Sequence, residues 1–221
     1  MLSGIINLDK PSGISSARAV ARVKRMLPRG TKIGHAGTLD PFATGVLLLL
    51  IGRATKQCES LMGATKVYET IVKLGATTPT LDPESLETPV PVAQIPSLSQ
   101  IENALRKLTG QVMQRPPAFS AMKVGGRRAY ELARKGNMPE LQERPVRIDE
   151  IQVLSYDWPR LAIRVRCGRG TYIRAIARDL GEALNTGGYL LSLRRTRIGE
   201  FDISEAVQLD HAQDAIAKLG A

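Results

Sequence analysis

The chain has 221 residues, of which 43% are hydrophobic and 24% are charged, as in an ordinary globular protein. Its 31 Lys and Arg against 21 Asp and Glu give a net charge of +10, which favours a polyanionic partner, with nucleic acid first and an anionic membrane surface second. The longest apolar run, residues 46–51, is far too short to cross a bilayer, and the N-terminus lacks the order of a signal peptide. Composition therefore argues against a helical membrane protein and for a cytoplasmic one.

Metal and disulfide chemistry find little support in the sequence. The two cysteines, Cys58 and Cys167, lie far apart, and with His35 and His211 they form no metal-ligand spacing. We therefore expect reduced, structural thiols and no metal, with a disulfide as the minor alternative.

The first half of the chain predicts a strand over residues 5–8, followed by a helix that Ser15 or Ser16 caps. The apolar run at residues 46–51 fits a buried strand or a buried helix, because periodicity alone does not decide between them. Residues 68–74 predict a strand, and the proline-rich residues 77–96 predict a loop.

In the second half, Ser99 and Glu102 have the spacing of a capping box that begins a helix. Residues 160–167 alternate between apolar and mostly basic side chains, which predicts a strand with one face in the core. A helix is predicted over residues 172–184, and residues 190–201 (LLSLRRTRIGEF) resemble another strand. Strands and helices mix without strict alternation, so the predicted fold class is α+β.

The stretch GHAGTLDPFATG, residues 34–45, holds a histidine and a carboxylate between glycines. Asp40 precedes a proline, which keeps it extended, and the cations near it in sequence favour its ionised form. An ionised carboxylate suits a nucleophile or an electrostatic stabiliser better than a general acid. The alternative is an ordinary Asp-Pro turn, and His35 could be a base, a stacking group or a polar turn residue.

Five further side chains carry weaker signals. Tyr68 and Tyr172 stand beside cations or glycine, although tyrosines at strand ends usually pack in the core or at its rim. Arg174 stands at the start of a predicted helix, where the helix dipole disfavours a cation unless an acidic partner compensates. Arg194 and Arg195 could contact phosphates or simply face solvent.

Four long motifs resemble one known family: residues 4–16 (GIINLDKPSGISS), 32–56, 167–184 (CGRGTYIRAIARDLGEAL) and 193–201. They are similar to the TruB family of bacterial tRNA pseudouridine synthases, which is related to dyskerin. The resemblance implies the pseudouridine synthase fold, a bent, mixed and mainly antiparallel sheet flanked by helices. It also implies an isomerase that converts uridine 55 in the T loop of tRNA to pseudouridine. In such a reaction the base is flipped out, its glycosidic bond is cleaved, and it is reattached through C5.

The resemblance also implies roles for single residues. Asp40 matches the catalytic aspartate, Tyr68 the tyrosine that packs on the flipped uracil, and Arg174 the arginine that pairs with that aspartate. Tyr172 belongs to the same GTYIR signature as Arg174. On the RNA side, Lys10 matches the lysine of the LDKP motif, and His35 matches the histidine that enters the T loop.

The basic segment at about residues 115–140 resembles an insertion that grips the T arm of tRNA. We expect RNA contacts from Lys123, Arg127 and Arg128 in this segment, and from Arg194 and Arg195 near the C-terminus. The family implies a monomer that needs no cofactor and no obligate protein partner. The chain is expected to form one catalytic domain over residues 1–221, a short form without the C-terminal PUA-type domain.

One family pattern is changed here, since Pro79 and Ser85 replace the usual Asp and Gly in the segment LGATTPTLDPES. We expect a differently shaped loop with little effect on the chemistry. Two other functions remain open at this point: a non-catalytic RNA-binding module on the same fold, and an RNA glycosidase. Against the second, hydrolytic glycosidases usually pair two carboxylates, and the Asp40 motif has no second acid.

Overall fold

The computed structural model describes residues 2–120, 122–134, 136–139 and 141–219. The chain divides into two compact units, the first made of residues 1–69 and 193–221 and the second of residues 70–192. The single domain predicted over residues 1–221 stays a prediction.

The elements have the following bounds. The strands are β1 (Gly4–Lys10), β2 (Ile33–Ala36), β3 (Thr44–Ile51), β4 (Lys66–Leu74), β5 (Ala76–Thr77), β6 (Thr88–Pro89), β7 (Gly110–Gln114), β8 (Lys123–Val124), β9 (Arg127–Arg128), β10 (Arg144–Asp157), β11 (Arg160–Cys167), β12 (Gly188–Ile198), β13 (Phe201–Asp202) and β14 (Val207–Gln208). The helices are α1 (Ser16–Lys24), α2 (Cys58–Gly63), α3 (Leu98–Lys107), α4 (Ala129–Arg134), α5 (Ile173–Ala183) and α6 (Ala212–Leu219). Short 3-10 turns cover Gly52–Gln57, Ile203–Glu205 and Leu209–His211. Over the described residues, none of these helices has the length and apolarity to span a membrane.

Strand pairing is mainly antiparallel, with parallel pairs in the first unit. In the first unit, β3 pairs antiparallel with β1 and β2, whereas β12 pairs with the start of β3 in parallel, as β14 does with β1. In the second unit, β10 lies between β11 and β7 and is antiparallel to both. This mixture of strands and helices confirms the predicted α+β class.

Strand β3 forms the centre of the first unit because both of its faces are buried. Leu47, Leu49 and Ile51 pack into one apolar cluster with side chains of β1, α1 and α6. Val46, Leu48 and Leu50 pack into a second cluster on the opposite face. Each such leucine stabilises the fold by about 1.5–3 kcal/mol. Burial on both faces removes the polar alternation of a half-buried strand, which is why the sequence left helix and strand undecided.

Most predicted elements are confirmed. The strand over residues 160–167 and the helix near residues 172–184 appear as β11 and α5, and Ser15 caps α1. The capping box was placed wrongly: it is formed by Ser97 and Gln100, so α3 begins before Ser99. Both pairs have the required spacing, and Ser97 is used because it directly precedes the first helical residue, Leu98.

Helix α5 packs so closely on the start of β12 that one position requires glycine. A Cβ atom on Gly181 would lie 2.2 Å from the carbonyl carbon of Gly187 and 2.4 Å from the amide nitrogen of Gly188. We expect Gly181→Ala to lower the free energy of unfolding by about 1–3 kcal/mol in urea denaturation, because overpacking outweighs the better helix propensity of alanine. Gly63→Ala in α2, where a Cβ meets nothing within 4 Å, is the control and should not be destabilised. Equal stability of the two variants would contradict the close packing.

Candidate functional site

Asp40 lies in the loop that joins the antiparallel strands β2 and β3. Gly37 (φ +90°) and Gly45 (φ +102°) lie near the two ends of this loop. Their backbone conformations are ones that residues with a Cβ atom rarely adopt. Within the loop, the amide of Ala43 donates to the carbonyl of Asp40 at 3.2 Å, and Asp40 itself is half-buried. The carboxylate is therefore carried by a tight turn that the buried strand β3 anchors.

The N-terminal motif holds this loop from one side. The ammonium of Lys10 donates to the carbonyl of Pro41, the residue after Asp40, at 3.2 Å, and also to those of Pro11 and Ile14 at 2.8 Å. The amide of Gly13 donates to the same Pro41 oxygen at 2.9 Å. Lys10 is fully buried, so the structure does not support the predicted direct contact between Lys10 and RNA.

Two serines of the same motif fix further backbone groups of the loop, and sequence reasoning did not identify them as site residues. The hydroxyl of Ser16 accepts from the amide of Leu39 at 2.8 Å and lies 3.0 Å from its carbonyl oxygen. The hydroxyl of Ser12 donates to the carbonyl of Phe42 at 3.0 Å. The sequence offers one sign of this role. Two serines, Ser15 and Ser16, stand where one is enough to cap α1, so the other is available to the loop.

Arg195 on β12 holds the loop from the other side. Its Nε donates to the carbonyl of Val46 at 2.7 Å and its Nη2 to that of Gly37 at 2.9 Å, while Nη1 lies 3.5 Å from the carbonyl of Thr38. The guanidinium carbon lies 6.0 Å from the centre of the Tyr68 ring. Only 1% of Arg195 is exposed, and this burial argues against its predicted contact with phosphates.

Arg194, the preceding residue, is placed differently. Its side chain is 41% exposed and its Nη2 lies 2.8 Å from the Asp9 carboxylate. Its Nη1 also lies 3.3 Å from the hydroxyl of Thr44. Neighbouring residues of a strand point to opposite faces, so of Arg194 and Arg195 the former is the accessible one.

His35 on β2 is half-buried in the wall of a cavity of about 560 Å³, which Lys24, Lys32 and Cys58 also line. Burial of the imidazole, and then the positive charge of Arg195, lower the pKa of His35 below 6.5. Nδ1 is buried and has no hydrogen-bond partner among the described residues. His35 is therefore a neutral ring beside a basic cavity at pH 7, suited to stacking or hydrogen bonding.

Arg174 lies in the second unit, where it is 3% exposed and forms a buried ion pair with Asp82 at 3.2 Å. It also donates to the carbonyls of Thr80 and Phe119, both at 2.8 Å. The acidic partner expected from the helix dipole is thus present on the loop after β5. The predicted pairing of Arg174 with Asp40 stays a prediction.

Asp82, the buried partner of Arg174, was not singled out from the sequence, although it lies in the segment LGATTPTLDPES. Its carboxylate accepts from the hydroxyl of Thr80 and from the amide of Glu84. Ser85, which replaces the glycine of the family pattern, places its hydroxyl 2.7 Å from that of Thr80. In the altered loop, the hydroxyl groups of Thr80 and Ser85 therefore form hydrogen bonds next to Asp82, the partner of Arg174.

Tyr172 stands directly before α5, where Gln114 holds it. The amide of Tyr172 donates to Oε1 of Gln114 at 2.8 Å, and its carbonyl accepts from Nε2 at 3.2 Å. The guanidinium of Arg144 lies 5.2 Å from the centre of its ring. Arg127 is exposed on the β8–β9 hairpin, whereas the side chains of Lys123 and Arg128 lie outside the described residues.

Comparisons with known proteins identify relatives over nearly the whole chain. Residues 24–173 match the model of the TruB family pseudouridylate synthase N-terminal domain, and residues 174–220 match that of the tRNA pseudouridylate synthase B C-terminal domain. The chain is 47% identical to tRNA pseudouridine synthase B of Mycobacterium leprae over 216 residues, which covers 94% of this chain and 67% of that protein. It is 44% identical to the Bacteroides fragilis protein of the same name over 209 residues, which covers 92% and 89% of the two chains.

Solved structures give the same fold. The chain is similar to one in a Cbf5-Nop10-Gar1 complex, with 30% identity and a TM-score of 0.73, covering 96% of this chain and 54% of that one. It is also similar to a chain in an H/ACA RNP bound to a substrate RNA containing 2'-deoxyuridine, with 28% identity and a TM-score of 0.70. The chain thus spans about half the length of these solved chains, 54% and 52%.

The buried ion pair between Arg174 and Asp82 should be important for stability. We expect Asp82→Ala to lower the free energy of unfolding by about 3–5 kcal/mol, because it leaves the Arg174 charge buried without this partner. The control is Glu150→Ala, which breaks an exposed pair with Arg166 at 3.9 Å and should cost less than about 1 kcal/mol. Urea denaturation measures both, and a loss for Asp82→Ala no larger than the control's would contradict the role of the buried pair.

The lowered pKa of His35 predicts a specific pH dependence. In the unfolded chain the pKa of His35 is near 6.5, so the unfolded chain binds the proton more readily than the folded one. The free energy of unfolding should therefore decrease as the pH falls below about 6.5. In a proton NMR titration of the two histidines, with His211→Gln as the assignment control, we expect the His35 midpoint below 6.5. A midpoint above 6.5 would contradict the buried, neutral imidazole.

Proposed function

The chain belongs to the TruB family of pseudouridylate synthases, and we propose that it isomerises uridine 55 in the T loop of tRNA to pseudouridine. Membership of this family supports the isomerisation of uridine in tRNA as the general activity. The position and the residue roles are our proposals, and they rest on the match between the motifs of this chain and those of the family. The observation that carries them is the fixed loop around Asp40.

In this reaction the uracil is released from the sugar but must be retained in the site until it is reattached. The bond between N1 and C1′ breaks, the uracil turns, and a bond forms between C5 and C1′ while the C5 proton is lost and N1 gains one. This balance needs neither water nor an external oxidant or reductant. The target base is first extruded from its stack at a cost of a few kcal/mol, so the site has to bind the extruded base firmly.

Asp40 is the group that acts on the extruded nucleoside. The residues on both sides of Asp40 are held by hydrogen bonds: the amide of Leu39 donates to the hydroxyl of Ser16, and Lys10 and Gly13 donate to the carbonyl of Pro41. A reacting group that is held in place loses little entropy when the transition state forms. This support distinguishes the loop from an ordinary Asp-Pro turn on a surface.

The other proposed roles rest on the same match of motifs. Tyr68 is proposed to pack on the flipped uracil, and Arg174 to stabilise the Asp40 carboxylate. His35 enters the space that the base leaves, because a neutral aromatic ring can stack on the neighbouring bases. The substrate implies a cytoplasmic enzyme, and we propose that it acts as a monomer on the T stem-loop without an obligate protein partner.

Phosphate contacts are assigned to accessible cations. Arg194 is partly exposed, and Arg127 is exposed on its hairpin. Lys123 and Arg128, in the same basic segment as Arg127, are also proposed to contact phosphates. Such contacts make affinity fall with salt, because each neutralised phosphate releases counterions.

Asp40→Asn tests the proposal. With an unmodified tRNA transcript that carries tritium at C5 of uridine, the wild type should release tritium, and the variant should be slower by more than about 1000-fold. RNA affinity, measured by filter binding, should be unchanged. The control is Asp210→Asn, which changes an exposed aspartate of the same unit and should keep wild-type turnover.

Other outcomes identify the alternatives. Release of free uracil by the wild type would indicate a glycosidase, and binding without tritium release would indicate an RNA-binding module. Wild-type turnover by Asp40→Asn would refute the assigned role of Asp40.

A further inference from the structure

We propose that Arg195 is a positioning residue, which sets the geometry of the Asp40 loop and of the Tyr68 ring without touching the RNA. The inference rests on the proposed function for its effect on turnover. Its structural part, that Arg195 holds the loop, stands on the contacts of Arg195 alone.

The bonds of Arg195 reach both ends of the Asp40 loop. Gly37 and Thr38 precede Asp40, and Val46 follows it on β3. One guanidinium therefore links the backbone before the catalytic position to the backbone after it, as a cross-link at the base of a loop would. Without this link, the carbonyls of Gly37 and Thr38 would have to find other partners.

The position of Arg195 is fixed by the sheet. It pairs with Gly45 in the parallel register of β12 and β3. A Cβ on Gly45 would lie 2.1 Å from the carbonyl oxygen of Arg195, so the close approach of the two strands depends on that glycine. A side chain whose backbone is held this closely transmits the position of β12 directly to the loop.

The chemistry requires arginine at this place rather than any cation. A guanidinium offers five N–H donors in a planar fork, and here they serve carbonyls in different directions. Lysine would supply the charge from a single point and could not reproduce the fork. The same guanidinium lies 6.0 Å from the Tyr68 ring centre, so a change at Arg195 affects both proposed catalytic side chains of this unit.

A purely structural role for Arg195 makes a different prediction. If Arg195 served stability alone, its replacement by an apolar side chain would leave buried carbonyls without donors and would only lower the free energy of unfolding. In that case the folded variant would have a normal site. In the positioning role the variant folds, but its loop is loose and its chemistry is slow.

The first experiment separates chemistry from binding. Single-turnover rates and dissociation constants are measured with an unmodified T-arm RNA for Arg195→Met and Arg195→Lys, with Arg106→Met, an exposed arginine on α3, as control. For Arg195→Met we expect a rate about 100-fold below wild type, the effect of misplacing a reacting group by about 1 Å. Its dissociation constant should change less than about threefold, since no phosphate contact is lost. Arg195→Lys should recover part of the rate, and the control should match wild type.

The second experiment needs no RNA. Hydrogen exchange is followed at the loop amides of Leu39 and Ala43 and, for comparison, at Leu48 in β3. In Arg195→Met the loop amides should exchange at least about tenfold faster while Leu48 is unchanged, since loops open locally without global unfolding.

The two experiments fail separately. Unchanged loop exchange in Arg195→Met overturns the inference, and so does a wild-type rate or a loss of RNA affinity that matches the loss of rate. If the wild type releases no tritium at all, the proposed function fails, whereas the exchange data still decide whether Arg195 holds the loop.

Discussion

Two buried cations, Lys10 and Arg195, donate hydrogen bonds to the backbone carbonyls that flank Asp40, and the organisation of the first unit depends on them. Lys10 binds the carbonyl of Pro41 and Arg195 binds that of Gly37, so the loop is held from the N-terminal motif on one side and from β12 on the other. The neighbouring strands support this arrangement. β3 is buried on both faces, and Gly45 allows β12 to approach β3 closely. The backbone of this loop is thereby fixed, although Asp40 itself is only half-buried.

The second unit uses the same device. Arg174 is buried, pairs with Asp82 and donates to the carbonyls of Thr80 and Phe119. Burying a charge costs several kcal/mol, which is offset only when hydrogen bonds satisfy the group, and a guanidinium can satisfy several carbonyls at once. The benefit is preorganisation, because groups that are already oriented need no reorganisation when the reaction occurs. In both units, buried cations hold the loops by donating to their backbone carbonyls.

Residue patterns predicted the regular elements and the fold class, because strand alternation and helical periodicity reflect burial on one face. β11 and α5 are examples, while β3 was ambiguous because it is buried on both faces. The site was harder. Asp40, Tyr68 and Arg174 could be named from the family motifs, and Asp40 and Arg174 lie on loops or helix starts with dense support. The exposure of a cation cannot be read from sequence, so the sequence gives no sign that Lys10 and Arg195 are buried and donate to backbone carbonyls. Ser12, Ser16 and Asp82 were missed for a different reason, because each has a partner that is distant in sequence.

The salt dependence of RNA binding tests this division between buried and exposed cations most directly. Filter binding of a T-arm RNA over a range of salt concentrations gives a slope that reports the number of phosphate contacts, and each lost contact reduces it by about one. Arg195→Met should keep the wild-type slope, whereas Arg127→Met, which removes an exposed cation, should reduce it by about one. A slope reduced by about one in Arg195→Met would make Arg195 a phosphate ligand and would contradict the account.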